Sequence, residues 1–518
     1  MIIPLRQGAL PFATAIAAAI GGAIAALRYH RLELALSHYD ARGHLVVARR
    51  IVDGITPGWQ QVGAVWLPLP HLLNAVPVQV DAFYRTGASA VAISIVAFAI
   101  ATGAIAWIVR QHTQSAGAAL VAAAVFALNP NVVYLQATPM TEPLLLALTT
   151  LAVALLLEWC GSCRPGPHDP ADRRVYRTLP TSRASTVGWA FALACLTRYE
   201  AWPVTACALA AAVWTRWRRG DSLMAASQRV ATIASYPAIA IVAFVIFSRV
   251  VIGEWFVATG FFVPENKALG QPVLAAAEVW WGAGQLSGTL IIAIAAAGLA
   301  LLLATGLFSR RRADALIALS LVATALVPWL AFVEGHPFRI RYMVPLIAIE
   351  AVGAGVAIGF VNFFRGARVV AAVAAALIVA YELHPLDRTA PMVVEAQWDR
   401  PNVPVRAHVT DCLRARYDGD TIMASMGSLG HYMQEASREG FDIADFLHEG
   451  NGDIWLAALN GPRRYAGWVL IEEKAEGGDM LAAIARQQPH FLDGYVRVCE
   501  GAGLALYQRQ NRILNVRR

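Results

Sequence analysis

Charged side chains are scarce in this sequence. They make up 15% of 518 residues against 57% hydrophobic ones, and the mean hydropathy is +0.51. So little charge leaves more apolar surface than one water-soluble core can bury, which excludes an ordinary soluble enzyme and points to an integral membrane protein. Lysine is nearly missing, with two residues against 40 arginines, so the formal charge of +7 rests on arginine. The arginines stand in short clusters between apolar runs and no nucleic-acid motif accompanies them, so they orient the chain in a membrane rather than bind nucleic acid. Internal repeats are missing too, which argues against a transporter built from matched halves. The paired, closely spaced ligands of a strong metal site are also missing. Cysteine is rare: a lone CxxC (Cys160, Cys163) that reads as incidental, Cys195 and Cys207 inside apolar runs and expected to be buried, and Cys412 and Cys499 near the C-terminus, whose pairing the sequence leaves open.

What is present is a series of eleven apolar runs, at about 9–27, 88–109, 118–133, 143–159, 187–197, 201–214, 231–247, 286–307, 315–333, 343–361 and 369–383. The expected fold is a mostly α, polytopic membrane bundle of about 11 transmembrane helices with a small C-terminal extracytoplasmic α/β domain. Its expected domains are a transmembrane region 1–384, a proline-bearing linker 385–404 and a soluble domain 405–518. In the latter, a helix at 405–417 and strands at "TIMAS", "WVLIEE", "YVRVCEG" and "ALYQR" are expected.

Basic residues set the orientation. The loops 1–8, 110–117, 160–186, 215–229, 309–314 and 365–368 together hold 16 Lys and Arg, and the intervening short loops 134–141, 198–200, 248–285 and 334–342 hold 5. The alternation puts the N-terminus in the cytoplasm, the C-terminal domain outside, and the long loop 28–87 outside. It also resolves "CLTRYEAWP" (195–203): both flanking loops are basic, so 187–214 crosses an even number of times and forms a hairpin of two short helices. Eleven helical residues rise about 17 Å against a hydrocarbon core of about 30 Å, so the RYE tip lies below the outer surface, where charge belongs in a protein-lined or watery cavity.

Four polar patches gather on the outer side: Asp40 with His44, "ATPMTEP" carrying Glu142, "TRYE" carrying Arg198, Tyr199 and Glu200, and "EGHPFRIRYM" carrying Arg339, Arg341 and Tyr342. Each has an ordinary structural explanation as well. Glu142 before Pro143 suits a helix start, Arg198 and Glu200 suit a structural ion pair, and Arg339 and Arg341 suit lipid headgroups. Asp40 precedes "HLVVARRIVDG", whose apolar positions suit an amphipathic helix lying on the membrane. In "GAVWLPLPHLL" (63–73), Trp66 and His71 are expected at the interface.

With these residues in place, the chain resembles the GT-C glycosyltransferases, among them protein O-mannosyltransferase, aminoarabinose-transferase and mycobacterial arabinofuranosyltransferase-like enzymes. "HYDARGHL" is similar to their first-loop acidic motif, "LTRYEAWP" to an "LTRPEG"-like segment, and "IMASMGSLGHYM" (422–433) to the opening strand and turn of many of their C-terminal domains. The chain has one acid at Asp40 where protein mannosyltransferases carry an adjacent pair, and no DxD beside it, two departures that bear on a protein acceptor and on metal dependence; the acceptor is left as a glycan, a lipid or a protein. It implies an inverting hexosyl- or pentosyltransferase of the bacterial inner membrane, moving sugar from a polyprenyl-phosphate donor to an extracytoplasmic acceptor. Asp40 is then the catalytic base, with Glu142 as the next candidate. Arg198, Arg341, Arg339 and Lys267 are expected on the donor phosphate, and His44, Tyr199, Glu200 and Tyr342 around the substrates. No cofactor is firmly implied, and a divalent metal stays open. A lipid-linked glycan ligase or polymerase and a membrane transporter are the rival readings.

Overall fold

The computed structural model describes residues 5–161, 183–255, 266–361, 366–474 and 478–510. Cys163 lies outside them. The chain divides into two compact units. One holds the described residues up to Leu32, of 91–255 and of 266–395; the other holds Glu33–Ala90 and the described residues from Ala396 onward.

The first unit is helical throughout. Each of the eleven apolar runs is helical, and six helices are long and apolar enough to cross a membrane: Gly8–Arg31, Ala88–Thr113, Glu142–Gly161, Leu223–Ile252, Thr289–Phe308 and Ala315–Val333. The run 118–133 is not one helix. It breaks into Ala116–Ala127 and Pro130–Leu135, because Pro130 drives the preceding residue out of the helical region; Asn129 sits at φ −65°, ψ 121° and its side chain accepts from Asn131 N. A helix at Pro272–Ser287 also fills part of the segment 248–285 that reads as a loop in the sequence. Thr289–Phe308 packs against Leu346–Phe360 through small residues, since a Cβ on Gly298 would overlap the carbonyl oxygen of Gly353. Cys195 is buried as expected, whereas Cys207 is exposed on its helix.

The second unit joins the first loop to the C-terminal region. Its sheet has five strands, β1 (Ile422–Ala424), β2 (Phe446–Leu447), β3 (Trp468–Glu472), β4 (Tyr495–Gly501) and β5 (Leu504–Arg509), in the order β2-β1-β3-β5-β4. β1 runs parallel to β2 and β3, and β5 is antiparallel to β3 and β4. The helix Val403–Arg416 is tied to β4 by the disulfide Cys412–Cys499. Residues 426–433 continue as a helix, Met426–Ala436, rather than a turn, and the Glu449 carboxylate accepts from Ser425 Oγ and Met426 N at its start.

The first-loop helix Tyr39–Arg49 does not present an apolar face to lipid. Every residue from Asp40 to Arg49 is buried, and Leu45, Val46 and Ala48 share one core with Val409, Leu429, Tyr432, Met433 and Trp468. Its arginines explain this. Arg42 and Arg49 are seven residues apart and so lie on one face. Arg42 pairs with Asp399 at 2.9 Å and with Glu435, and both carboxylates also hold Arg406, at 2.6 and 2.8 Å. Arg49 pairs with Asp53 and Asp81, each at 2.7 Å, and lies over the Tyr84 ring. Charges that read as the wet side of a surface helix are thus the buried fastening of the second unit, which extends the expected C-terminal domain to include the first loop.

Burial alone raises the Asp399 carboxyl, but hydrogen bonds and charge from Arg406, with charge from Arg42, hold it down at about 2. A carboxyl depressed in the fold contributes stability that is full above about pH 4 and lost as pH falls through about 2. Asp399→Asn removes that contribution at every pH and leaves two buried guanidinium groups short of a counter-charge. Hydrogen exchange of residues 403–416 and 39–49 in the full-length protein should rise about tenfold or more at neutral pH. Unchanged exchange there would show that the network does not hold the unit together.

Candidate functional site

Three of the four patches meet in the first unit. Helix Ala184–Cys195 and helix Ala201–Arg218 are the two arms of the expected hairpin, joined at residues 196–200. At its tip the Arg198 guanidinium pairs with Glu200 at 2.8 Å and with Glu142 at 3.0 Å, and it donates to Thr141 Oγ1 at 3.0 Å. Glu142 is fully buried at the start of its helix, Glu200 is buried, and the guanidinium is mostly enclosed. One cation therefore faces two carboxylates. In this geometry Arg198 forms ion pairs with both Glu142 and Glu200. Tyr199 packs edge-on against Trp202 and Phe244.

The turn Ile340–Met343 brings Arg341 close enough to Arg198 for their charges to oppose each other. Its backbone is held by Glu395, whose Oε2 accepts from Ile340 N at 2.7 Å, a role the sequence did not signal. Arg339 and Arg341 are both buried, so neither reaches for headgroups from an exposed surface. Arg341 Nη2 donates to Tyr342 Oη at 3.4 Å, and Arg339 Nη1 donates to Phe338 O at 3.3 Å. His336 Nδ1 donates to the Pro337 carbonyl at 3.1 Å, which leaves its Nε2 as the acceptor for the Tyr342 hydroxyl at 3.5 Å. Lys267 is exposed in the turn at 266–270, beside the charge of Glu278. The Asn266 amide in that turn donates to the carbonyl of His336.

Asp40 and His44 belong to the second unit. Asp40 is buried in the first turn of Tyr39–Arg49, where its backbone N–H donates to His38 Nδ1 at 3.1 Å, so a histidine caps the helix that carries the acid. His44 follows four residues later and shares the Asp40 face, roughly opposite the Arg42 and Arg49 stripe. Its ring lies 4.1 Å from Trp66, and its Nδ1 is 3.0 Å from His71 Nε2. His71 is buried in the short helix Leu69–Asn74, where it is a partner of His44. Its Nδ1 lies 3.1 Å from Leu67 O.

Arg50, which the sequence reading passed over, follows the same helix. Its Nε donates to Gln61 O at 2.5 Å and its Nη1 rests on Met426 Sδ; among the described residues no carboxylate pairs with it. Burial pulls its pKa down to about 10, with the Glu449 charge opposing. Burial and then the Arg50 charge push His71 down to about 3, and the same two causes lower His448. Among the described residues no three His, Cys, Asp or Glu side chains gather as metal ligands.

No protein-family model matches the chain, and no curated protein matches it. Two solved structures of ArnT from Cupriavidus metallidurans are similar. One, bound to undecaprenyl phosphate, has a TM-score of 0.53 and 13% identity, covering 94% of this chain and 97% of that one. The other, in the apo state, has a TM-score of 0.52 and 14% identity, covering 90% and 92%. The Archaeoglobus fulgidus oligosaccharyltransferase in the apo form is less similar, at a TM-score of 0.48 and 13% identity over 98% of this chain and 75% of that one. At such identities the likeness to ArnT is one of fold, and the chain has a GT-C-like membrane fold.

Proposed function

We propose that this protein is an inverting glycosyltransferase that moves a hexose or pentose from a polyprenyl-phosphate donor to an acceptor on the outer face of a bacterial inner membrane. The observation that carries the reading is Asp40: a buried carboxylate in the first turn of the helix that follows the first apolar span, in a chain similar over nearly its whole length to a structure holding undecaprenyl phosphate. In a single displacement the acceptor oxygen attacks the anomeric carbon as the bond to the donor phosphate breaks. Asp40 takes the hydroxyl proton. The leaving phosphate needs a cation, and Arg341 and Arg198 are the candidates, Arg198 with Glu142 and Glu200 against it. Arg339 and the exposed Lys267 are further phosphate candidates. Glu200 and Glu142 flank Arg198, Tyr199 follows it in the hairpin tip as a candidate for substrate contact, and Tyr342 carries Arg341 against its ring. The N-terminus is assigned to the cytoplasm and the C-terminal region to the outside, in keeping with the loop charges and with the disulfide Cys412–Cys499.

Asp40→Asn keeps shape and hydrogen-bonding reach and removes the proton-accepting charge. The variant should fold, bind undecaprenyl phosphate and lose turnover by roughly a hundredfold or more, assayed as sugar transfer from a polyprenyl-phosphate donor. Near wild-type transfer would remove Asp40 from the chemistry. The two arginines should separate. Arg341→Ala should weaken undecaprenyl phosphate binding in native mass spectrometry, whereas Arg198→Ala should lower the melting temperature, because it strands two buried carboxylates. Unaltered lipid binding by Arg341→Ala would end its assignment to the phosphate. An alkaline phosphatase fused after Arg518 should be active, and an inactive fusion would reverse the orientation.

A further inference from the structure

Helix Ala116–Ala127 and helix Ala367–Glu382 of the first unit line a groove of about 520 Å³. Gly117, Leu120, Val121 and Ala124 face it from the first helix, at the three-, four- and seven-residue spacing that puts side chains on one stripe, and the second helix repeats that spacing from Val369 to Ala376. The groove is therefore two apolar stripes set against each other. Val121 is buried, whereas Leu120 and Val369 are exposed beside it. Small residues set the shape. A Cβ on Gly117 would lie 3.2 Å from the Ala372 methyl, so the helices are close there, and Ala124 and Ala376 carry too little side chain to close the seam further along. The volume falls in the range of roughly 300–1,000 Å³ usual for small-ligand sites.

The polar lining is confined to one end. Among the lining residues only Ser115 and Arg368 are polar, and each stands at the start of its helix. The two starts lie at the same end of the unit: a Cβ on Gly359 would press on Thr113, just before the first helix begins, and the second helix begins eight residues after Gly359. The loop charges assign that end to the cytoplasmic side. Arg368 is exposed, and among the described residues its guanidinium has no ion pair or hydrogen bond. Ser115 Oγ accepts from Ala118 N at 3.2 Å, which leaves its own hydrogen free to donate.

A cation and a hydroxyl donor at the mouth of an apolar channel match an anionic head with a hydrocarbon tail. A free phosphate would leave the stripes uncovered, and an uncharged chain would leave Arg368 unanswered. We infer that this groove binds an anionic phospholipid, its phosphate on Arg368 and Ser115 and one acyl chain along the stripes between the two helices. None of the residues placed in sugar transfer lines the groove, so the inference does not depend on the glycosyl-transfer reading.

Native mass spectrometry of the full-length protein with added phosphatidylglycerol or phosphatidylcholine tests it. The unmodified protein should retain phosphatidylglycerol in preference to phosphatidylcholine. Arg368→Gln should lower the retained phosphatidylglycerol about fivefold, the usual worth of one basic residue near an anionic membrane, and Arg368→Lys should keep most of it. Ala376→Phe, which fills the groove from an exposed position and so leaves the fold intact, should lower it by as much. Arg310→Gln removes an exposed arginine that does not line the groove and should change nothing. No preference for phosphatidylglycerol in the unmodified protein overturns the site. An equal loss in Arg310→Gln and Arg368→Gln reduces the binding to general surface charge, and undiminished binding in Ala376→Phe removes the acyl chain from the groove. Displacement of phosphatidylglycerol by undecaprenyl phosphate in the unmodified protein but not in Arg368→Gln would overturn the choice of lipid.

Discussion

The second unit depends on one arrangement of four charges, the buried Arg42 and Arg406 against the half-buried Asp399 and Glu435. Such a network adds little net stability, because desolvating the ions costs about as much as their attraction returns, but it penalises any arrangement that separates one member from the rest. Its effect is therefore on register. With Arg42 fastened on one side and Arg49 held by Asp53 and Asp81 seven residues on, the helix Tyr39–Arg49 has one permitted rotation. That rotation turns Asp40 and His44 to the opposite side. Leu45, Val46 and Ala48 then complete a core supplied by the C-terminal region, so apolar packing and ion pairing select the same placement.

The first unit solves a related problem with fewer charges. Arg198, Glu142 and Glu200 are drawn from two separate segments of a unit otherwise rich in Ala, Leu and Val. Each alone would be costly in an apolar surrounding, and together they leave one net negative charge. Thr141 adds a neutral acceptor. Arg341 stands near this group, close enough for its charge to oppose that of Arg198.

The parts legible in the sequence were those with a local cause. Apolar length marked all eleven helical runs, the parity of basic loops marked the hairpin at 196–200, and short runs rich in β-branched and aromatic residues marked four of the five strands. β2 escaped because two residues carry no period, and the break at Asn129–Pro130 was hidden by apolar composition on both sides. The deeper miss was the first loop. A helix with apolar residues on one side and arginines on the other reads as a membrane-surface helix when nothing reveals that Asp399 and Glu435, more than 350 positions away, will meet Arg42. Asp40 and His44 could be picked out by their place after the first span, but His71 could not, since a pairing across 27 residues leaves no periodic trace.

Arg50 shows why the histidines matter to one another. A partly buried guanidinium without a carboxylate partner among the described residues raises the local potential, and neutral imidazoles tolerate that where a charged side chain would not. His71 and His448 are both pushed toward neutrality by it. A histidine held neutral at one end of a hydrogen bond is a fixed acceptor, and a fixed acceptor orders its partner's tautomer. Arg50, without a carboxylate partner among the described residues, therefore acts on His44 through His71, whose neutral Nε2 accepts from His44 Nδ1.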